Sequence, residues 1–539
     1  MAIDVSLLDA EPIAEQALAA GELAARPIAA VETAPVSGWR RVLVDCAVVS
    51  GAEVVGNLLS SVTSVLLRMA LNPAQMGIWQ GLKIFLNYAN YANLGVSKGA
   101  ARDLAIAQGR GDLASAQRGL NLAFAVNTLT SLVYAAVLAA AGLWIGGSGG
   151  VWGGAWALGL VVVGVLAVLQ RHLTFYVTIL RSKQAFGITS QVSILEALLT
   201  LVLGGLGAWR FGLPGLYGGT ILVMAGAILF VGRRGDVRLA WAWDARQIGR
   251  LIAVGGPILL AGSVATLFRT LDKLMILGYL HDREFQLGCY SVGLMVTTQL
   301  YGLANMLSIV MGPRYNESFG RTGSRRAVAR LAARATELQS AAMTLPSALA
   351  IVAAPALLGW LLPAYRSGLA PLVWLIPGNL ALAAALPPNQ YLVSIDRQGR
   401  ALAIVIAATL LAAAGNHLAL VSGYGLPGVA AATSLSYVAY YLLSVAISIW
   451  HELDSADRLR YLGMMALTHL PPIGLAVGLE RLWPGQAGLG PIVALKIAAV
   501  LSVWLPAAWI GWHHGQWAQS LRSRVSAHPN PLPEEVGDS

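Results

Sequence analysis

Apolar runs of roughly twenty residues follow one another along this chain, parted by short polar intervals. Stretches such as "SLVYAAVLAAAGLWI" lack the period-two alternation of a half-buried strand. A helix needs about 20 residues to cross a ~30 Å hydrocarbon core, and in lipid its backbone satisfies its own polar groups. The pattern predicts an all-α membrane protein of about fourteen transmembrane helices. Their limits fall near 42–68, 77–98, 119–143, 152–172, 186–209, 213–232, 250–277, 287–311, 338–362, 368–390, 400–421, 427–449, 461–481 and 489–512. Residues 1–38 are acidic and Ala-rich, without the charged start and short apolar run of a signal peptide. They read as a disordered cytoplasmic tail, and 515–539 as a second cytoplasmic tail.

Two echoes organise the spans. "QMGIW" at 75–79 returns as "QLGCY" at 286–290, and "GLPGLYGGT" at 212–220 returns as "GLPGVAAAT" at 425–433. The offsets, 211 and 213 residues, nearly agree. They predict a duplication of six spans. The halves are an N-lobe over 39–235 and a C-lobe over 245–452, and two C-terminal spans over 458–514 lie outside the repeat. An even number of spans per copy places the pseudo-symmetry axis along the membrane normal.

Composition agrees with burial in lipid. The chain is 57% hydrophobic and 12% charged, against about 25% charged in ordinary soluble domains. Lys and Arg crowd one alternating set of connections, including Arg102, Arg110, Arg118, Arg233, Arg234, Arg325, Arg326, Arg397 and Arg400. The other set holds only Arg68, Arg210, Arg283, Arg366 and Arg481. The positive-inside rule then puts both termini in the cytoplasm. The same asymmetry accounts for the net charge of +10 without a nucleic-acid partner.

Four spans carry polar stripes at helical spacing. Span one offers Glu53, Asn57 and Arg68; span two Lys83, Asn87 and Tyr91; span seven Arg269, Asp272 and Lys273; span eight Tyr301 and Asn305. Ionisable residues inside spans are costly and face a cavity or one another. Four striped spans together favour a wet cavity over interhelical glue. Candidate substrate-binding residues are Arg269, Lys273, Lys83, Asn87, Tyr91, Asn57, Tyr301 and Asn305. Cations outnumber acids among them, which suits an anionic ligand, and guanidinium offers a planar fork of donors. Lys273 and Arg269 also have a structural alternative, pairing with Asp272. Arg68, at a span end, reads as a side chain snorkelling to the interface. Trp79 and Tyr290 read as members of the aromatic belt. Glu53 and Asp272 are candidates for coupling to H+ or Na+, with charge balance as the other reading.

Enzyme motifs fail. "HELDS" at 451–455 has Ser455 where a zinc motif needs its second His, and "GGSGG" at 146–150 lacks the following Lys-Ser/Thr of a P-loop. No metal, cofactor or catalytic residue is expected.

"LNPAQMGIWQ", "VSKGAARDLA", "LDKLMILGYL…QLGCYSVG" and "LLGWLLPAYRSGLAPLVWL" occur in that order along the chain. In order and spacing they resemble the Wzx-type polysaccharide and O-antigen flippases of the multidrug/oligosaccharidyl-lipid/polysaccharide (MOP) exporter superfamily. The resemblance spans about 42–450. It implies fourteen helices in two six-helix lobes forming a V with a central cavity, and residence in the bacterial inner membrane. It implies passage of undecaprenyl-pyrophosphate-linked oligosaccharide to the periplasmic leaflet, beside a polysaccharide polymerase and export machinery as partners. No site residue carries over by position, and the long N-terminal tail departs from the family. A lipid II flippase or a multidrug exporter of the same superfamily are the alternatives within transport. A membrane polysaccharide polymerase is the alternative outside it, disfavoured by the short outer connections.

Overall fold

The computed structural model of the chain describes residues 37–97, 99–100, 113–147, 153–182, 185–234, 239–485 and 490–514. The two tails, the Glu53 side chain and the positions of Arg102 and Arg110 lie outside them. Fifteen α-helices and no strand occur among the described residues. They are α1 (Ser37–Ala70), α2 (Pro73–Ala89), α3 (Leu113–Gly147), α4 (Gly153–Ser182), α5 (Phe186–Leu199), α6 (Gly205–Arg234), α7 (Ala245–Tyr279) and α8 (Arg283–Thr322). The rest are α9 (Arg325–Leu361), α10 (Leu369–Ala384), α11 (Leu386–Ser394), α12 (Gln398–Val421), α13 (Gly425–Ile447), α14 (Ser455–Leu482) and α15 (Pro491–His514). Among the described residues, nine segments are long and apolar enough to cross a membrane, which makes this a multi-pass membrane protein. These nine do not reach the expected fourteen. One of them, Phe186–Arg234, is 49 residues long and is broken within α6 at Gly212.

The break explains one sequence echo. Gly212 has φ of +62° and Gly425 has φ of +56°, a region glycine enters without the Cβ penalty. Pro214 and Pro427 each stand two residues further on, where a fixed φ suits a helix start. The two "GLPG" copies thus make the same turn, each launching a helix: the second part of α6, and α13.

The other echo sits where the two halves meet. α2 and α8 pack tightly at their N-terminal ends. A Cβ added at Gly77 would lie 1.7 Å from the Glu284 carbonyl oxygen, and one added at Gly288 would lie 1.8 Å from that of Pro73. The offset of 211 carries Gly77 onto Gly288 and Pro73 onto Glu284. The contact is therefore reciprocal, as across a two-fold axis. Only glycine allows backbones so close.

Further bonds gather at this end. Tyr365 Oη donates to the Leu71 carbonyl at 2.8 Å, and Trp156 Nε1 donates to Glu284 Oε1 at 3.0 Å. Arg68 Nη2 donates to the carbonyl and hydroxyl oxygens of Ser291 at 2.9 and 3.1 Å. This is the end with the Lys/Arg-poor connections. Away from the interior, large apolar side chains such as Leu410, Leu418 and Leu435 stay exposed, as lipid contact requires.

Candidate functional site

Two cavities flank the α2–α8 pair. One, of about 360 Å³, is lined by Asn87, Tyr91, Arg269, Asp272, Lys273 and Tyr301, with Asn379 of α10 and Tyr437 of α13. The other, of about 640 Å³, is lined by Asn57, Lys83 and Asn305, with Ser60, Ser64 and Glu196. The eight residues expected to bind substrate all line one or the other. α2 and α8 contribute to both, so the expected single cavity is divided between the two sides of this pair.

Helical spacing sorts the first cavity. Thr266, Arg269 and Lys273 share a face of α7 at i, i+3 and i+7. Tyr88 Oη meets Thr270 Oγ1 at 3.3 Å and Tyr91 Oη meets Thr266 Oγ1 at 2.5 Å; these bonds fix α2 and the turn after it against α7. The Arg269 side chain is exposed to the cavity, with its guanidinium 5.8 Å from the centre of the Tyr301 ring.

Asp272 is buried and already bonded. Tyr290 Oη donates to its Oδ2 at 2.8 Å, and the Lys273 backbone N–H to its Oδ1 at 2.8 Å. The Lys273 ammonium makes no ion pair with it within 4.0 Å among the described residues. Residues i and i+1 on a helix do not face each other, so the expected Asp272–Lys273 pairing does not form as a side-chain bridge. Asp272 instead ties α7 to α8 through Tyr290.

Arg269 and Lys273 line the first cavity together with Asp272, and Lys83 lines the second. Lys83 Nζ also sits 5.4 Å from the centre of the Trp79 ring, a cation–π contact.

Three expectations are corrected. Arg68 does not snorkel: it is 4% exposed, and Nη1 donates to the Ser64 carbonyl at 2.8 Å and its hydroxyl at 2.7 Å. Trp79 is buried against Tyr217, and Tyr290 is wholly buried; neither belongs to an interfacial belt. The bonds from Arg68 to Ser291 and from Tyr290 to Asp272 tie α8 to α1 and α7, while Trp79 packs on Tyr217 of α6. Arg481 is the third. It was expected in an outer loop, but it closes α14, and its guanidinium lies 4.3 Å from the centre of the Trp374 ring.

Sequence reading missed two charged residues. Glu196, on α5, lines the second cavity together with Lys83. Its signal was a lone acid inside the apolar run "SILEALL". The other is Arg171, one residue from the expected span limit at 172. α4 continues to Ser182, so Arg171 lies well inside it.

No family model matches the chain, and no curated protein matches it either. Solved structures do. An inward-facing MATE-family multidrug-resistance transporter of the MOP superfamily has a TM-score of 0.58 at 16% identity, covering 76% of this chain and 95% of that one. The lipid II flippase MurJ in an inward closed conformation has a TM-score of 0.63 at 12% identity, covering 86% and 98%. A MOP-superfamily transporter from Pyrococcus furiosus, described as having a binding pocket of reversed polarity, has a TM-score of 0.55 at 16% identity, covering 78% and 96%. The chain has the fold of MOP-superfamily transporters.

Proposed function

We propose that this protein is a flippase. It moves an undecaprenyl-pyrophosphate-linked oligosaccharide from the cytoplasmic to the periplasmic leaflet of the bacterial inner membrane, for exopolysaccharide, capsule or O-antigen synthesis. The observation that carries this reading is the chemistry of the first cavity. Arg269 and Lys273 present cations to it, while Asp272, the acid beside them, is held by Tyr290 and a backbone N–H. A pyrophosphate supplies the negative charge they lack, through strong charge-assisted hydrogen bonds. Sugar rings stack on Tyr91 and Tyr301.

In this reading fourteen helices form two six-helix lobes, 39–235 and 245–452, that rock about the α2–α8 contact to give alternating access. The protein catalyses no reaction. Polymerase and export machinery consume its product. Coupling to H+ or Na+ falls to Glu53 or Glu196 rather than to Asp272, which is committed to Tyr290. A cationic drug exporter fits poorly, because the cavity repels its cargo. A lipid II flippase is the second reading, favoured by the likeness to MurJ and by a shared pyrophosphate headgroup.

The test is complementation of two strains, one lacking its polysaccharide flippase and one depleted of its lipid II flippase. Surface polysaccharide returns in the first and growth does not in the second. At matched protein levels, Arg269→Ala loses export, and Arg269→Lys recovers part of it, because a point charge does not reproduce the fork. Arg210→Ala, exposed at a helix exterior, leaves export unchanged. Rescue of growth alone would transfer the protein to the lipid II reading. Full export by Arg269→Ala would remove the headgroup role from this residue.

A further inference from the structure

The strongest unassigned feature lies between α3 and α4. Arg171 is 2% exposed inside a membrane-spanning helix. Its Nε and Nη2 donate to Asn127 Oδ1 at 3.3 and 2.9 Å, and Nη2 also to Thr130 Oγ1 at 3.0 Å. These acceptors are neutral, so they satisfy donors without balancing the charge. Two neighbouring donors are buried and unspent: Arg171 Nη1 and Asn127 Nδ2.

Both residues line a third cavity, of about 600 Å³. Asn93, Ser97, Thr174 and Thr178 add polar groups to its wall, and among the described residues no carboxylate lines it. Water in this space would satisfy the spare donors but leave the guanidinium uncompensated. An ionised side chain within a span is costly unless something meets it. An oxyanion meets both needs, placing oxygens on Nη1 and Nδ2 and neutralising the charge.

We propose that Arg171 and Asn127 form a second anion subsite, which takes one carboxylate or phosphate group. The third cavity shares Asn90 and Tyr91 with the cavity of Arg269. Two sources of the anion follow from this position: an acidic substituent on a glycan reaching past Tyr91, or the headgroup of a membrane lipid. The subsite stands on its own donors, whether or not Arg269 holds pyrophosphate.

The test uses purified full-length protein in neutral detergent, with native mass spectrometry and thermal unfolding as readouts. The probes are methyl β-glucuronoside against methyl β-glucoside, and phosphatidylglycerol against phosphatidylcholine. The wild-type protein prefers at least one anionic probe over its uncharged or zwitterionic counterpart by tenfold or more. Preference for the glucuronoside assigns the site to the glycan, and preference for phosphatidylglycerol assigns it to lipid. Arg171→Gln cuts the preference at least tenfold, and Arg210→Ala, exposed at a helix exterior, keeps it. Asn127→Asp guards against misfolding of the first variant. Its carboxylate fills the site from within, so it abolishes the preference while raising the unfolding temperature. Equal binding of charged and uncharged probes by the wild type overturns the proposal. So does an unchanged preference in either Arg171→Gln or Asn127→Asp.

Discussion

Charged side chains inside this molecule divide into those with partners and those turned to a cavity. Lys496 and Glu480 show the first kind. They are 2% and 6% exposed, with Nζ 2.7 Å from Oε2. Lys496 also donates to the Trp483 carbonyl, and the Gly485 N–H to Glu480 Oε1 at 2.6 Å. This pair holds α14 to α15. Lys496→Met strands a buried carboxylate and should cost about 3–5 kcal/mol, while pairing it with Glu480→Leu should recover most of that. Thermal unfolding of the three variants in detergent checks it; a single variant as stable as the wild type would contradict a working pair. Arg269 and Lys273 are the second kind, and the sequence showed them because their spacing on one helical face survives any error in span limits. Arg171 was hidden by such an error: a span cut short at 172 turned a buried cation into a boundary residue. The depth of Arg68 was not legible at all, because it depends on Ser291, 223 residues away.

Helices were the most legible level. Apolar runs marked them, and the two echoes marked how they join. The turn echo had a local cause, a left-handed glycine before proline, and it could be read as a turn from sequence. The "QMGIW" and "QLGCY" echo could not be read as a contact. Its glycines touch the opposite helix, and nothing local requires them. Gly77→Ala and Gly288→Ala each push a methyl against a backbone carbonyl, and overpacking of this kind costs about 1–3 kcal/mol. Gly249→Ala, which meets open space on α7, should be neutral or slightly stabilising. Unfolding temperatures in detergent decide. If Gly77→Ala and Gly288→Ala matched Gly249→Ala, the α2–α8 contact would not be the close packing described.

At the scale of the molecule, topology and mechanism meet. The tight contacts of Gly77, Gly288, Arg68 and Tyr365 gather at the end whose connections are poor in Lys and Arg. In the proposed reading, the positive-inside rule turns that end toward the periplasm. Reporter fusions after residues 110, 240, 325 and 455 should therefore register cytoplasm, and those after 148, 283 and 366 periplasm. One exchanged pair flanking a single span would break the fourteen-helix scheme. That a cavity lay among spans one, two, seven and eight was legible, since four polar stripes needed somewhere to face. Its division by the α2–α8 pair was not, because that follows from how closely those two helices cross. In the proposed function this cationic interior carries a pyrophosphate-linked glycan through the membrane. Reconstitution in proteoliposomes tests it most directly, with fluorescent undecaprenyl-pyrophosphate-linked oligosaccharide in the membrane and a membrane-impermeant quencher outside. The wild-type protein should expose the lipid in both leaflets within the assay, and Arg269→Ala should not. Equal exposure with Arg269→Ala, or none with the wild type above empty liposomes, would contradict it.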